Sequence, residues 1–131
     1  TQLGRILVVD DESAIRLFME RALSLSGFRV HVFGDGPSAA DFFATHADQI
    51  DLVLIDLMMP TMCGRELAER LLESRTDVPL VLMSGHSEGD ARERFADLPL
   101  AAVLPKPFNP KQLVEVVKRC LGIEPVRVAA F

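Results

Sequence analysis

Acidic residues follow directly on an apolar run in ILVVDDE, residues 6–12, where Asp10, Asp11 and Glu12 stand side by side. Close like charges repel, and each costs free energy to desolvate. Such a cluster either lies idle at the surface or expects something positive. Three further groups occupy similar places. Asp56 ends the run LVLI, Ser84 follows VLM in VLMSGH, and Lys106 lies in VLPKPF. Carboxylates are hard oxygen ligands, and a few of them with positions left for water suit Mg²⁺. A metal and Lys106 would neutralise the oxygens of a phosphoryl group while Ser84 hydrogen-bonds one. Taken singly, each residue has a plainer use: an Asp or Ser after a strand makes a turn or a cap, and a Lys is usually a solvated charge. The chemical reading gains weight only if the fold gathers them.

The elements that must do so are legible as short apolar runs, Ile6–Val9, Phe28–Phe33, Leu52–Ile55, Leu80–Met83 and Ala101–Leu104, starting 21 to 28 residues apart. That spacing leaves room for one helix between strands, the rhythm of βαβ units. Ile15, Phe18, Ala22 and Leu25 recur at helical spacing after Ser13, and Gly27 ends the pattern. Pro37 fits a helix start with Ala40 and Phe43 on one face. Leu67 and Leu71 follow Gly64, and Pro79 marks an end. The stretch Glu88–Asp97 is polar and weakly periodic. Asn109 and Pro110 make an N-cap and first turn, followed by an apolar stripe of Leu113, Val116, Val117 and Cys120 that Gly122 closes.

The first, third and fourth runs are continuously apolar, as strands covered on both faces should be. The second begins by alternating, Phe28 and Val30 against Arg29 and His31, which suits an edge. The reading is an α/β protein, a doubly wound five-stranded parallel sheet with five helices on both faces. Order 2-1-3-4-5 puts the alternating strand outside, although sequence alone does not force it. In that order the winding reverses between strands one and three, and ligands bind at the strands' C-terminal ends there. Asp10, Asp11 and Asp56 would converge on this crevice, with Ser84 and Lys106 along the same edge. Pro105 and Pro107 restrict the backbone that aims Lys106. Glu12 suits the positive end of the first helix better than the metal.

The 131 residues suffice for one domain with one sizeable core. A formal net charge of -5 argues against direct nucleic-acid binding and against gripping an anionic membrane. No apolar stretch has the length of a membrane span, and the start TQLGRILVV does not look like a signal peptide. The chain starts at Thr1 instead of Met, which is read as processing or excision of a domain. Cys63 and Cys120 make neither a disulfide framework nor a zinc site, so a reducing, cytoplasmic setting is expected. The expected division is a domain over 1–122 and a tail or linker over 123–131.

The motifs ILVVDDE, DLVLIDLMMPTMCG, VPLVLMSGH and LPKPF occur in this order at suitable spacing. Together they resemble the response-regulator receiver domain of two-component signalling, over residues 4 to 121. The resemblance implies a flavodoxin-like fold and a module that accepts a phosphoryl group with Mg²⁺. It implies that Asp56 is the phosphoacceptor, supplied by the phosphohistidine of a sensor histidine kinase or a histidine phosphotransfer protein. Asp11 and Asp56 would be direct metal ligands, Met58 would add its backbone carbonyl, and Asp10 would hold the metal through water. Ser84 would be the switch hydroxyl and Lys106 the partner of Asp56 or its phosphoryl group. Pro60 and Gly64 match the family's loop after the phosphoacceptor. Met58 and His86 stand where side chains flank the phosphoryl group and tune its loss. A dimer through the fourth and fifth helices is a further expectation from the family. Val103 occupies the place where many members carry Tyr or Phe, so a ring-flip readout is not expected, and output should run through backbone and the Glu88–Asp97 segment.

A stand-alone regulator, the input half of a transcription factor and the receiver of a hybrid sensor kinase are all compatible with this sequence, and its wording favours the last. Two other classes fit less well. A dehalogenase-like phosphatase also uses Asp and Mg²⁺, but places nucleophile and acid as DxD after its first strand, where this chain has adjacent Asp10 and Asp11. A flavodoxin-like cofactor binder needs a loop rich in Ser, Thr and Gly for phosphate, and DDESA would repel it.

Overall fold

The computed structural model describes residues 2–85 and 88–123. His86 and the tail beyond Ile123 lie outside them. The order of elements is β1 (Gly4–Val9), α1 (Ser13–Leu25), β2 (Phe28–Phe33), α2 (Gly36–His46), a 3₁₀ turn (Ala47–Gln49), β3 (Leu52–Asp56), α3 (Gly64–Ser74), β4 (Leu80–Ser84), α4 (Glu88–Arg94), β5 (Leu100–Pro105) and α5 (Pro110–Cys120). The strands form one sheet in the order β2-β1-β3-β4-β5, and each pairing is parallel.

The side-chain period of two explains how the strands serve two cores. Leu7, Val9, Val53, Ile55, Leu80 and Leu82 face one way and pack with Ala39, Phe43, Leu67 and Leu71 of α2 and α3. Ile6, Val8, Leu52, Leu54, Val81 and Met83 face the other way, onto Met19 and Leu23 of α1 and Leu113 and Val117 of α5. β1 from Ile6 on, β3 and β4 are buried, while β2 and β5 are partly open, as edges are. The apolar runs and the alternating edge strand therefore stand where the sequence put them.

Local capping follows the sequence as well. Asn109 Oδ1 accepts from Gln112 N–H at 2.8 Å, and Gln112 Oε1 accepts from Asn109 N–H at 2.9 Å, a reciprocal capping box with Pro110 in the first turn. Gly27 and Gly122, at φ 100° and 70°, turn the chain out of α1 and α5 in the left-handed region open to glycine.

Three readings shift. The buried stripe of α1 is centred on Met19 and Leu23, with Ile15, Phe18 and Ala22 partly buried beside it, and Leu25 is 90% exposed. At 100° per residue Leu25 points roughly 140° away from the centre of that stripe. α4 ends at Arg94 and not at Asp97, because Phe95 drops into the core at 7% exposure and Leu98 N–H turns back onto Phe95 O at 3.0 Å. α3 stops at Ser74, well before Pro79. Ile123 still belongs to the packed unit, its N–H bonded to Lys118 O at 2.8 Å and its side chain against the α1–α5 core.

Candidate functional site

The residues at the C-terminal ends of β1 and β3 meet. One carboxylate oxygen from each of Asp10, Asp11 and Asp56 lies within 4.8 Å of the others. Register accounts for it: Val9 pairs with Ile55, so the residues that follow each, Asp10 and Asp56, stand side by side. Asp10 is fully buried and Asp56 nearly so, while Asp11 is exposed at the mouth. Two buried acids and one exposed acid make a cluster that is open on one side.

Each group of Asp10 is tied. Its N–H donates to Phe33 O at 3.1 Å, continuing the β1–β2 ladder. Its Oδ1 accepts from Glu12 N–H at 2.9 Å, and its Oδ2 from Lys106 Nζ at 3.1 Å. Glu12 itself takes the N-cap position of α1, with no side-chain cap bond. Its part is played by its backbone, which the sequence did not foretell.

Lys106 bridges the two buried acids, with Nζ also 3.3 Å from Asp56 Oδ1. Its backbone N–H donates to Ser84 O at 2.7 Å, which fixes the Lys106 loop to the end of β4, and the Lys106–Pro107 peptide is cis. Burial works against the ammonium charge, but the bond to Asp10 and the charges of Asp10 and Asp56 outweigh it, so its pKa stands above the ordinary lysine value. Asp56 moves the other way. Burial, followed by the Asp10 carboxylate, pushes its carboxyl up to about 6, against the pull of Lys106 and of the Met58 N–H. An acid raised in this way gains from any added cation.

Met58 N–H donates to Asp56 Oδ1 at 3.2 Å, and its side chain is 71% exposed beside the cluster. Ser84 is 1% exposed at the end of β4, next to Met83, which pairs with Asp56. The loop after Asp56 folds back under tight constraint. Gly64 N–H bonds Leu57 O at 3.1 Å, and a methyl group at Gly64 would lie 2.6 Å from Asp56 O. Only a residue without Cβ fits there. Val103 is buried at 2% exposure in β5. All of Asp10, Asp11, Asp56, Met58, Ser84 and Lys106 thus lie at one sheet edge. What the sequence did not reveal is Arg16, whose Nη1 donates to Asp10 O at 2.7 Å.

The donor set fits a hard divalent cation. Three carboxylates converge, one of them open to solvent, and burial together with the neighbouring Asp10 carboxylate disfavours the Asp56 anion, which a cation would relieve. Among the described residues, no helix is long and apolar enough to cross a membrane.

Comparison with known proteins agrees with this geometry. Residues 6–118 match the model of the response regulator receiver domain family. The response regulator MprA of Mycolicibacterium vanbaalenii is 34% identical over 117 residues, which cover 89% of this chain and 50% of that protein. The sensor kinase CckA of Brucella abortus is 37% identical over 117 residues, 88% of this chain and 12% of that protein. The chain thus spans half of one relative and a small part of the other. Among solved structures, the receiver domain of the hybrid histidine kinase CckA superposes with a TM-score of 0.76 at 33% identity, covering 90% of this chain and 99% of that one. The chemotaxis protein CheY4 of Vibrio cholerae, at 24% identity, shares the fold with a TM-score of 0.82 over 90% of this chain and 98% of its own. Fold, acid cluster and sequence converge on one assignment: the chain belongs to the response regulator receiver domain family of two-component signalling.

Proposed function

We propose that Asp56 accepts a phosphoryl group from the phosphohistidine of a sensor histidine kinase or a histidine phosphotransfer protein. The observation that carries this reading is the buried arrangement of Asp56 against Lys106, with Asp10 and Asp11 alongside. An Asp56 oxygen attacks phosphorus, the P–O bond forms, and the P–N bond to the donor imidazole breaks with its electron pair leaving on nitrogen. Asp56 needs no general base, because at neutral pH a carboxyl of pKa about 6 is mostly ionised. Lys106 sits where it neutralises oxygens of the incoming group, and Ser84 stands at the same edge to bond one of them.

Asp11 and Asp56 would hold Mg²⁺ directly, the Met58 carbonyl would add a ligand, and Asp10 would act through water. Mg²⁺ supplies neutralisation of phosphoryl charge during transfer. The rest of the chemistry is positioning by the chain. The exposed Met58 side chain beside the cluster is placed to screen the acyl phosphate from water, which governs how fast the domain hydrolyses its own phosphoryl group. The domain acts as a relay or switch module, with output through α4 and the backbone, since Val103 provides no ring to rotate.

The test is incubation with a small phosphodonor such as acetyl phosphate and Mg²⁺, followed by intact mass. The wild-type protein gains the mass of one phosphoryl group. Chelation of Mg²⁺ and the change Asp11→Ala both prevent the gain, while Asp11→Ala keeps the fold because Asp11 is exposed. Labelling that persists after chelation would sink the metal-dependent mechanism.

A further inference from the structure

Arg16 lies outside the constellation that the sequence suggested, yet it touches that constellation's most buried member. Its Nη1 donates to the backbone carbonyl of Asp10 at 2.7 Å. It reaches a carbonyl and not a carboxylate, so its contact fixes main chain at the point where β1 leaves the sheet. The same guanidinium packs over Gly34, the first residue after β2. A methyl group placed on Gly34 would lie 2.8 Å from Arg16 Nη1 and 3.2 Å from Cζ. Such contact is closer than atoms tolerate, so any side chain at 34 has to displace the guanidinium. The neighbouring residue, Phe33, accepts the Asp10 N–H at 3.1 Å. Asp10 is thus held through both of its flanking peptides, from β2 through its N–H and from α1 through its carbonyl.

These contacts act on the acids. The peptide carbonyl that Arg16 bonds joins Asp10 to Asp11, so its orientation sets where the Asp11 carboxylate starts from. It also sets the distance at which Glu12 N–H meets Asp10 Oδ1, 2.9 Å. The backbone N–H of Arg16 returns to Glu12 O at 3.0 Å, so the residue closes a ring of bonds around the DDE segment. We propose that Arg16, seated on Gly34, is a positioning residue that fixes the Asp10–Asp11 peptide and so aims both carboxylates at the cation beside Asp56. The inference rests on the metal-dependent reading of the site. Arg16 touches neither phosphoryl group nor metal in this account. Partners that orient ligands from behind commonly change metal affinity by 10- to 100-fold on removal, a range of about one to two decades.

The experiment compares wild type with Arg16→Ala, Arg16→Lys and Gly34→Ala. The chain has neither Trp nor Tyr, so amide shifts in ¹H–¹⁵N spectra report MgCl₂ binding better than intrinsic fluorescence does. Arg16→Ala and Gly34→Ala weaken Mg²⁺ binding about tenfold, and Arg16→Lys, which keeps one donor, falls between. At saturating Mg²⁺ the rate of phosphorylation by acetyl phosphate returns to within about twofold of wild type, because the group acts through metal affinity and not on the transfer itself. In metal-free protein the Glu12 amide exchanges faster in Arg16→Ala, since its bond to Asp10 is no longer held. Unchanged Mg²⁺ affinity in Arg16→Ala overturns the proposal, whether or not the melting temperature falls. So does a rate that stays low at saturating Mg²⁺, which would place Arg16 on the donor. A wild-type protein that binds no Mg²⁺ would instead count against the metal-dependent reading, and the Glu12 amide would still report whether Arg16 positions the segment.

Discussion

Replacing Asp56 by asparagine should stabilise the metal-free protein at neutral pH. The buried carboxyl of Asp56, beside that of Asp10, has its pKa raised from 3.8 to about 6. An acid with a raised folded pKa binds its proton more tightly when folded than when unfolded, so stability falls as pH rises from the unfolded pKa to the folded one. Above pH 6 the full cost applies, about 3 kcal/mol at 1.36 kcal/mol per unit. Asparagine has the shape of the protonated acid and carries no charge, so it escapes that cost. The gap between variant and wild type is then about 3 kcal/mol at pH 7.5, roughly half of that at pH 5 and small at pH 4. For 131 residues the largest gap corresponds to a rise in melting temperature of about 10 °C. Calorimetric melts of both proteins in chelator across this pH range provide the assay. Titrating groups that do not face Asp56, such as the half-buried His31, whose pKa is lowered by burial and by Arg29, Arg5 and His46, cancel in the difference. Equal melting at pH 7.5 would refute the reasoning. A gap that persists undiminished at pH 4 would also refute it, because the gain would then not come from charge. Excess Mg²⁺ should close the gap from the wild-type side.

Changing Lys106 to Met removes the counter-charge of the fully buried Asp10; it should cost about 3 kcal/mol in a urea melt and abolish phosphorylation by acetyl phosphate. Gly64→Ala forces the Asp56 carbonyl and the Leu57 Cα apart from a Cβ at 2.6 and 2.8 Å, costing about 2 kcal/mol in the same melt and slowing phosphorylation through the displaced Asp56 backbone. Asn109→Ala breaks the capping box of α5 and should cost about 1 kcal/mol, read by thermal melting, with the phosphorylation rate unchanged because α5 starts beyond the site.

Much of the site was legible because it stands at strand ends. The buried runs of β1, β3 and β4 show as uninterrupted apolar letters, and an acid or a hydroxyl directly after such a run has to emerge at the sheet's edge, as Lys106 does just beyond the partly open β5. Once the winding order is assumed, convergence of Asp10, Asp11 and Asp56 follows. The contacts of Arg16 were not legible, since they join α1 to the turn after β2 through a backbone carbonyl, and no residue type announces a carbonyl acceptor. Glu12 stands at the start of α1, where its charge suggested, but the contact it adds to the site is its N–H to Asp10, a main-chain role that any residue except proline supplies. The α1 stripe was misplaced by one flank because Leu25 has the right spacing to Phe18 and Ala22, and hydropathy does not say which side of a broad stripe meets the sheet. Among the described side chains of α4 only Ala91 and, after its end, Phe95 are buried, so little periodicity existed to fix its length.

The most direct test of the central claim is to find which atom carries the phosphoryl group. Borohydride reduces an acyl phosphate on aspartate to homoserine, which survives proteolysis and is read by peptide mass. After treatment with acetyl phosphate and Mg²⁺, the account predicts homoserine at position 56 and nowhere else, with none formed in the presence of chelator. Homoserine at Asp10 or Asp11, or a phosphoryl group that resists borohydride and stays on a hydroxyl or imidazole, would contradict it.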